Sequence, residues 1–263
     1  MTKKHEYVFL FDVDNTLLDN DHVETDLRRH LSSYLGSRAR DRYFRIFEEL
    51  RQEIGYADYL GALERYRLEA LHDPKVLKMS CWLVDYPFAQ RLYPNALDVV
   101  EHVRSWGLPV ILSDGDAVFQ PRKIERSGLW DAFKGHVLIY VHKENMLGDV
   151  EKHYPAQHYV MIDDKLRLLA AIKKIWGKRV TTVFVKQGHY ANDPGILDLY
   201  PSADIQPGRI GDLLDYSKAA FERINWEKKH ESDKTTLQSG TEPLARQHHP
   251  RTAHQRDIEA LYR

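Results

Sequence analysis

What most restricts this chain is a coincidence of strand ends. Apolar runs at 7–11, 109–112, 137–141 and 159–162 are strand-length, and each gives way to polar residues: Asp12 and Asp14, Ser113, Lys143, and the pair Asp163 and Asp164. Between the runs the apolar spacing changes to three and four residues, the period of helices. Strands alternating with helices build a mostly parallel sheet covered on both faces. In such sheets ligands sit beyond the carboxyl ends of the strands. Polar residues scattered along the chain are therefore predicted to meet on one rim.

The first strand, Tyr-Val-Phe-Leu-Phe at 7–11, has the continuous apolar character of a strand buried on both faces. After it the period turns helical from Asp21 to about Val84. Asp21 with Glu24 suggests a capping box, and Val23, Leu27, Leu31 and Leu35 recur every four residues up to Gly36. A second helix carries Tyr43, Phe44, Phe47 and Leu50 and stops near Gly55; a third carries Leu60, Leu63 and Tyr66; a fourth spans 76–84. The aromatic residues of this block have the spacing of a helical core. From Pro94 onward helices at 96–106, to 127, at 146–153, 166–176 and 210–224 alternate with the later strands, including 180–185 and a short one at 203–205. The predicted organisation is α/β: a Rossmann-like, mostly parallel core from 1–18 and 92–226, an inserted all-α block at 19–91, and a charged tail at 227–263. The tail, rich in Lys, Arg, His, Gln and Glu, has too few apolar residues to form a core and reads as disordered, with a terminal helix at 258–262.

Composition narrows the function classes. A formal net charge of −1 gives no broad field to draw nucleic acid or a membrane surface. No apolar stretch approaches the roughly 20 residues of a spanning helix. Lys3 and Lys4 precede an apolar run, as in a signal peptide, but Asp12 cuts that run short. A single cysteine, Cys81, allows no internal disulfide and points to the cytoplasm.

The rim has the parts needed to break a phosphate ester. That reaction needs a nucleophile, an acid for the leaving oxygen, and positive charge over the phosphoryl oxygens. Asp12 serves as nucleophile. Asp12 and the pair Asp163/Asp164 offer hard oxygen ligands for Mg²⁺, with the main-chain oxygen of Asp14 in reach. Asp14, two residues on, suits the acid that later becomes the base. Lys143 supplies a point charge; Ser113 a hydroxyl donor, with neighbouring N–H groups such as that of Asp114 adding to the phosphate site. Thr16 is assigned to fixing the loop, Asp114 and Asp116 also to turn formation, and Lys165 to the surface at a helix start. Gln187, Gly188 and His189 end another strand and are weaker candidates for the rim. Lys123 is a rival to Lys143, but lies in a helix well before the third strand. His248 and His249 belong to the tail.

The segment Asp12-Val13-Asp14-Asn15-Thr16 resembles the DxDxT motif of the haloacid dehalogenase superfamily. Ser113 at the end of 110–113 resembles its second motif, Lys143 its third, and Asp163-Asp164 its acidic fourth. Glu144 stands where the third motif often has Pro. Leu168 stands where the fourth often has a later acid, so Asp163 would supply the second carboxylate. The resemblance implies a Rossmann-like core, an aspartyl-phosphate intermediate, a Mg²⁺ cofactor and a helical cap formed by the insert. Dehalogenases of the family lack an acid at the position of Asp14, whereas its phosphatases and phosphomutases carry one. The expected function is hydrolysis of a small phosphorylated metabolite. Transfer to a second hydroxyl is the alternative, and a non-catalytic module that grips a protein through the tail or insert is the rival from another class.

Overall fold

The computed structural model describes residues 4–191 and 193–222. Strand β1 (His5–Phe11) leads into four helices, α1 (Asn20–Leu35), α2 (Ser37–Ile54), α3 (Tyr59–Glu69) and α4 (Pro74–Val84). There follow α5 (Ala96–Arg104), β2 (Leu108–Asp114), α6 (Phe119–Arg126), α7 (Leu129–Ala132), β3 (Val137–Tyr140), α8 (Leu147–His153), β4 (Ala156–Asp163), α9 (Leu166–Trp176), β5 (Val180–Phe184) and α10 (Gly188–Ala191). The strands form one five-stranded sheet in the order β3-β2-β1-β4-β5, and every pairing is parallel.

Burial of both faces explains the continuous apolar strands. In β1, Tyr7, Phe9 and Phe11 point into one core and Val8 and Leu10 into the other. The first core takes Val99, Val100 and Val103 of α5 and Ile124 of α6. The second takes Leu147 and Val150 of α8 and Leu169, Ile172 and Trp176 of α9. β1 lies at the centre of the sheet, so the residue following it emerges in the middle of the rim.

The helical insert has its own apolar stripe, and that stripe is continuous with the first core. Val23, Leu27 and Leu31 of α1 pack with Tyr43, Phe44 and Phe47 of α2. Fully burying each such side chain is worth roughly 1.5–3 kcal/mol. The seam with the core is aromatic: the Tyr59 and Phe119 rings lie 5.4 Å apart and the Phe88 and Phe119 rings 5.7 Å apart.

Several local details differ from expectation. Asp19, not Asp21, caps α1, its Oδ1 accepting the His22 N–H at 3.0 Å. The helix starts early enough to put Asp21 inside the first turn, where Asn15 and His189 engage its carboxylate. The 203–205 strand reduces to an isolated bridge between Val183 and Ile205. The 210–224 helix is a 3-10 turn at Ile210–Asp215 with a separate helical stretch from 218. The proposed tail, with His248 and His249, lies outside the described residues. Among the described residues no helix is long and apolar enough to cross a membrane.

Candidate active site

Asp12 continues the ladder one step past β1, its N–H donating to Ile162 O at 2.9 Å. The chain then turns tightly: Val13 O accepts the N–H groups of Thr16, Leu17 and Leu18. Asn15 sits at φ 58°, a left-handed conformation that Asn tolerates better than most residues. Its side-chain oxygen accepts the N–H groups of Asn20 and Asp21, which ties the loop to the start of α1. The polypeptide thus leaves the rim with Asp12 and Asp14 displayed at it. Thr16 is wholly buried, and its carbonyl accepts from Gln187 Nε2 at 2.8 Å. Gln187 also accepts the Ile210 N–H at 3.0 Å, and His189 binds Asp21 through both N–H and ring. The 187–189 segment therefore braces the loop from outside, a supporting part in the rim.

Asp12, Asp163 and Asp164 converge, each offering a carboxylate oxygen within 4.8 Å of the others. All three are buried. Among the described residues one ammonium group touches them. Lys143 Nζ lies 2.6 Å from Asp12 Oδ1 and 2.7 Å from Asp163 Oδ2, and donates to Leu112 O at 3.2 Å. Lys143 is held by Asp114, whose Oδ1 accepts the Lys143 N–H at 2.7 Å. That carboxylate orients the lysine, so any share of Asp114 in anion binding falls to its main chain. Asp163 Oδ1 accepts the Lys165 N–H at 2.8 Å, which uses its second oxygen.

The remaining oxygens lack partners. Neither oxygen of Asp164 nor Oδ2 of Asp12 meets a hydrogen-bond donor among the described residues. An ionised carboxylate buried without a partner is costly. Burial, opposed by Lys143 and reinforced by Asp163 and Asp14, pushes Asp12 up to about 7. Burial also drives Asp164 well above the ordinary carboxylate range, despite the pull of Lys165. Burial alone would lower Lys143, but Asp12, Asp163 and Asp114 outweigh it and raise it. The nest has more negative than positive groups and unpaired hard oxygens, a donor set that suits a divalent cation bound through oxygen.

Asp14 takes a different position. Its carboxylate stands outside the converging three and is about one-quarter exposed, at 28%. Lys123 Nζ lies 2.6 Å from its Oδ1 and donates to Asn20 Oδ1 at 3.1 Å. Gln120 Nε2 reaches Asp14 Oδ2 at 3.3 Å and Ser113 Oγ at 2.9 Å. Lys123 is therefore no mere rival to Lys143. Both lysines reach the rim, each on its own aspartate. Gln120 and Lys123 lie on the part of α6 that reaches Asp14 and Ser113 at the rim, a placement that helical spacing permits but the strand-end pattern does not indicate. Lys165 is also displaced from its expected surface position: it is half-buried, 5.2 Å from the Tyr190 ring centre. Burial would lower it, but Tyr190, Asp164, Asp12 and Asp163 raise it.

A cavity of about 160 Å³ opens between the insert and the rim, lined on the core side by Asp14, Gln120 and Lys165 and on the insert side by Phe47, Arg51 and Tyr59. The insert touches the core on both flanks of this cavity. Arg51 of α2 donates to the Tyr190 hydroxyl. Gly55, at φ 83°, lies so close to the His142 ring that a Cβ would come within 2.6 Å of it.

The sequence profile of the haloacid dehalogenase-like hydrolases matches residues 8–175. No curated protein matches the chain. A solved haloacid dehalogenase-like hydrolase from Burkholderia xenovorans LB400 is 61% identical, with a TM-score of 0.78, and the alignment covers 81% of this chain and 99% of that one. The L-2-haloacid dehalogenase of Xanthobacter autotrophicus (18% identity, TM-score 0.52, coverage 79% and 96%) shares the fold. So does the magnesium-bound HAD-hydrolase YfnB of Bacillus subtilis (16%, TM-score 0.54, coverage 81% and 98%). A family profile spanning more than half of the chain, over a five-stranded parallel core that brings the DxD loop to an acidic rim, places this protein in the haloacid dehalogenase-like hydrolase family.

Proposed function

We propose that the protein is a Mg²⁺-dependent phosphatase of small organic monophosphates, with Asp12 as nucleophile. The observation that carries this is Asp164, whose two carboxylate oxygens are buried without a donor among the described residues, beside the half-paired Asp12. A halide displacement by one carboxylate needs no cation at this place. Attack by a carboxylate on a phosphate dianion does, because two anions must approach each other.

Asp12 Oδ2, Asp164 and the main-chain oxygen of Asp14 would hold the ion. Asp163, with Oδ1 on the Lys165 N–H and Oδ2 in an ion pair with Lys143, would steer Lys143 rather than ligate. When bound, Mg²⁺ supplies charge that offsets repulsion between nucleophile and phosphate and stabilises the ionised carboxylates. Asp12 then attacks phosphorus to give an aspartyl-phosphate. Asp14, in the cavity wall, hands a proton to the leaving oxygen and later takes one from the water that splits the acyl phosphate. Lys123 and Gln120 fix its orientation, while Ser113, held by Gln120, and Lys143 face the phosphoryl oxygens. The insert acts as a cap that excludes bulk water and shapes the leaving-group site. The lone exposed Cys81 suits a cytoplasmic setting.

The test sets p-nitrophenyl phosphate with Mg²⁺ against 2-chloropropionate without metal. Phosphate release that EDTA abolishes is expected. Metal-independent chloride release with no phosphate release would replace the phosphatase with a dehalogenase.

A further inference from the structure

Tyr190 stands between two cations brought from different parts of the chain. Arg51 comes from α2 of the insert, its guanidinium carbon 6.0 Å from the ring centre; Lys165 comes from the rim, its ammonium 5.2 Å from the same centre. Both line the cavity. A ligand with two anionic groups would set one against each of them. The carboxylate partner shown for Arg51 is Glu48, at 3.6 Å and half exposed, a solvated and weak counter-charge. Lys165 sits on the Asp12 side, where the phosphoryl group would lie. Arg51 has no such duty, yet its side chain is only 28% exposed.

Beside Arg51 the insert wall is apolar. Phe47 and Tyr59 stack with ring centres 4.7 Å apart, and Tyr59 meets Phe119 at 5.4 Å. The cavity volume of about 160 Å³ is close to the roughly 150 Å³ that accommodates one benzene-sized group.

We propose that the leaving group of the substrate is small and carries a second oxyanion, a carboxylate or a further phosphate, which Arg51 receives while the apolar wall packs its carbon skeleton. This rests on the phosphatase reading and specifies its substrate class. Arg51 offers the planar fork that pairs with such groups through two hydrogen bonds, and the Tyr190 hydroxyl keeps that fork turned toward the cavity.

The experiment compares matched esters with Mg²⁺: 3-phosphoglycerate against glycerol 3-phosphate, and propane-1,3-diol bisphosphate against its monophosphate. In the wild type the anion-bearing member of at least one pair is expected to have a kcat/KM at least about tenfold higher, mostly through KM. The pair with the larger ratio names the oxyanion. In Arg51→Met that ratio should collapse toward one, and Arg51→Lys should keep part of it. Ratios within one variant are insensitive to the fraction of protein folded. Hydrolysis of all four esters without preference would overturn the proposal and leave the phosphatase standing. A preference that survives Arg51→Met would also overturn it. No hydrolysis of any of the four, nor of p-nitrophenyl phosphate, would remove both.

Discussion

Two lysine–aspartate pairs, both at 2.6 Å, stand side by side on this rim and do different things. Lys143 meets Asp12 in a closed nest, where it also serves Asp163, and where Asp164 has no donor among the described residues. Lys123 meets Asp14 one to one, with a carboxylate partly open to the cavity. The first pair is short of positive charge, and burial makes that shortage expensive. The second is balanced. A nest that lacks charge can take a cation and a phosphate, whereas a balanced pair at the cavity wall suits the handling of a proton.

The largest contrast is expected from removing the carboxylates themselves. Asp12→Asn should lower kcat with p-nitrophenyl phosphate by at least about 10³-fold, since no other group replaces the nucleophile. Asp14→Asn should cost roughly 10²–10⁴-fold, the usual worth of a general acid–base. Stopped-flow phosphate release tells them apart further. Asp14→Asn retains the capacity to form the aspartyl-phosphate, so it should bind Mg²⁺ and become phosphorylated by a substrate with a good leaving group. Equal, mild losses in both variants would erase the distinction between the pairs.

The lysines sharpen it next. Lys143→Met leaves the acidic nest without its ammonium, and breaking a buried pair typically costs about 3–5 kcal/mol. Urea denaturation at pH 8 in EDTA should show a loss of that order. Lys123→Met strands one partly hydrated carboxylate, so a smaller loss, about 1–2 kcal/mol, is expected with a drop in kcat. A larger loss for Lys123→Met would reverse the assignment.

What was legible in the sequence follows from this difference. Asp12, Ser113, Lys143, Asp163 and Asp164 sit at or just beyond strand ends, and a parallel sheet buried on both faces leaves such residues one rim to occupy. Lys123 and Gln120 arrive from α6. Their position depends on which face of that helix meets the rim, and the helical period leaves that open. Lys165 looked like an ordinary lysine at a helix start, because nothing local shows that Asp12 and Asp163 would surround it. Arg51 is harder still to read: its orientation depends on how α2 packs over a core whose Tyr190 lies 139 residues away. The switch from Asp21 to Asp19 as cap has the same origin, since Asn15 and His189 claim Asp21 from outside the helix.

Titration offers a finer test of the charge-poor nest. In metal-free protein Asp12 has its proton affinity raised from 3.8 to about 7. Between those values the folded state binds more protons than the unfolded chain, so this group's contribution to stability is complete below about pH 4 and declines as pH rises to about 7. Mg²⁺ must displace the proton, so its affinity should rise with pH through the same window. The increase in Tm on adding Mg²⁺ is therefore expected to be larger at pH 8 than at pH 6. Lys143→Met should also recover part of its lost stability at the lower pH. An equal Mg²⁺ effect at both values would mean the nest is not proton-linked.

The smallest effect comes from the loop that presents both aspartates. Gly188, at φ 75°, is packed so tightly against Asn15 that a Cβ would lie 2.6 Å from the Asn15 Cβ. Asn15 in turn holds the N–H groups of Asn20 and Asp21. Gly188→Ala adds backbone strain of about 1–2 kcal/mol and pushes on Asn15. Because Asp14 adjoins Asn15, the displacement should act on the open pair more than on the nest, which is braced by three strands. The expected result is a several-fold fall in kcat with Mg²⁺ affinity nearly unchanged, measured by titrating activity against Mg²⁺. If Mg²⁺ affinity falls and kcat holds, the loop serves the nest instead, and the two pairs are not independent.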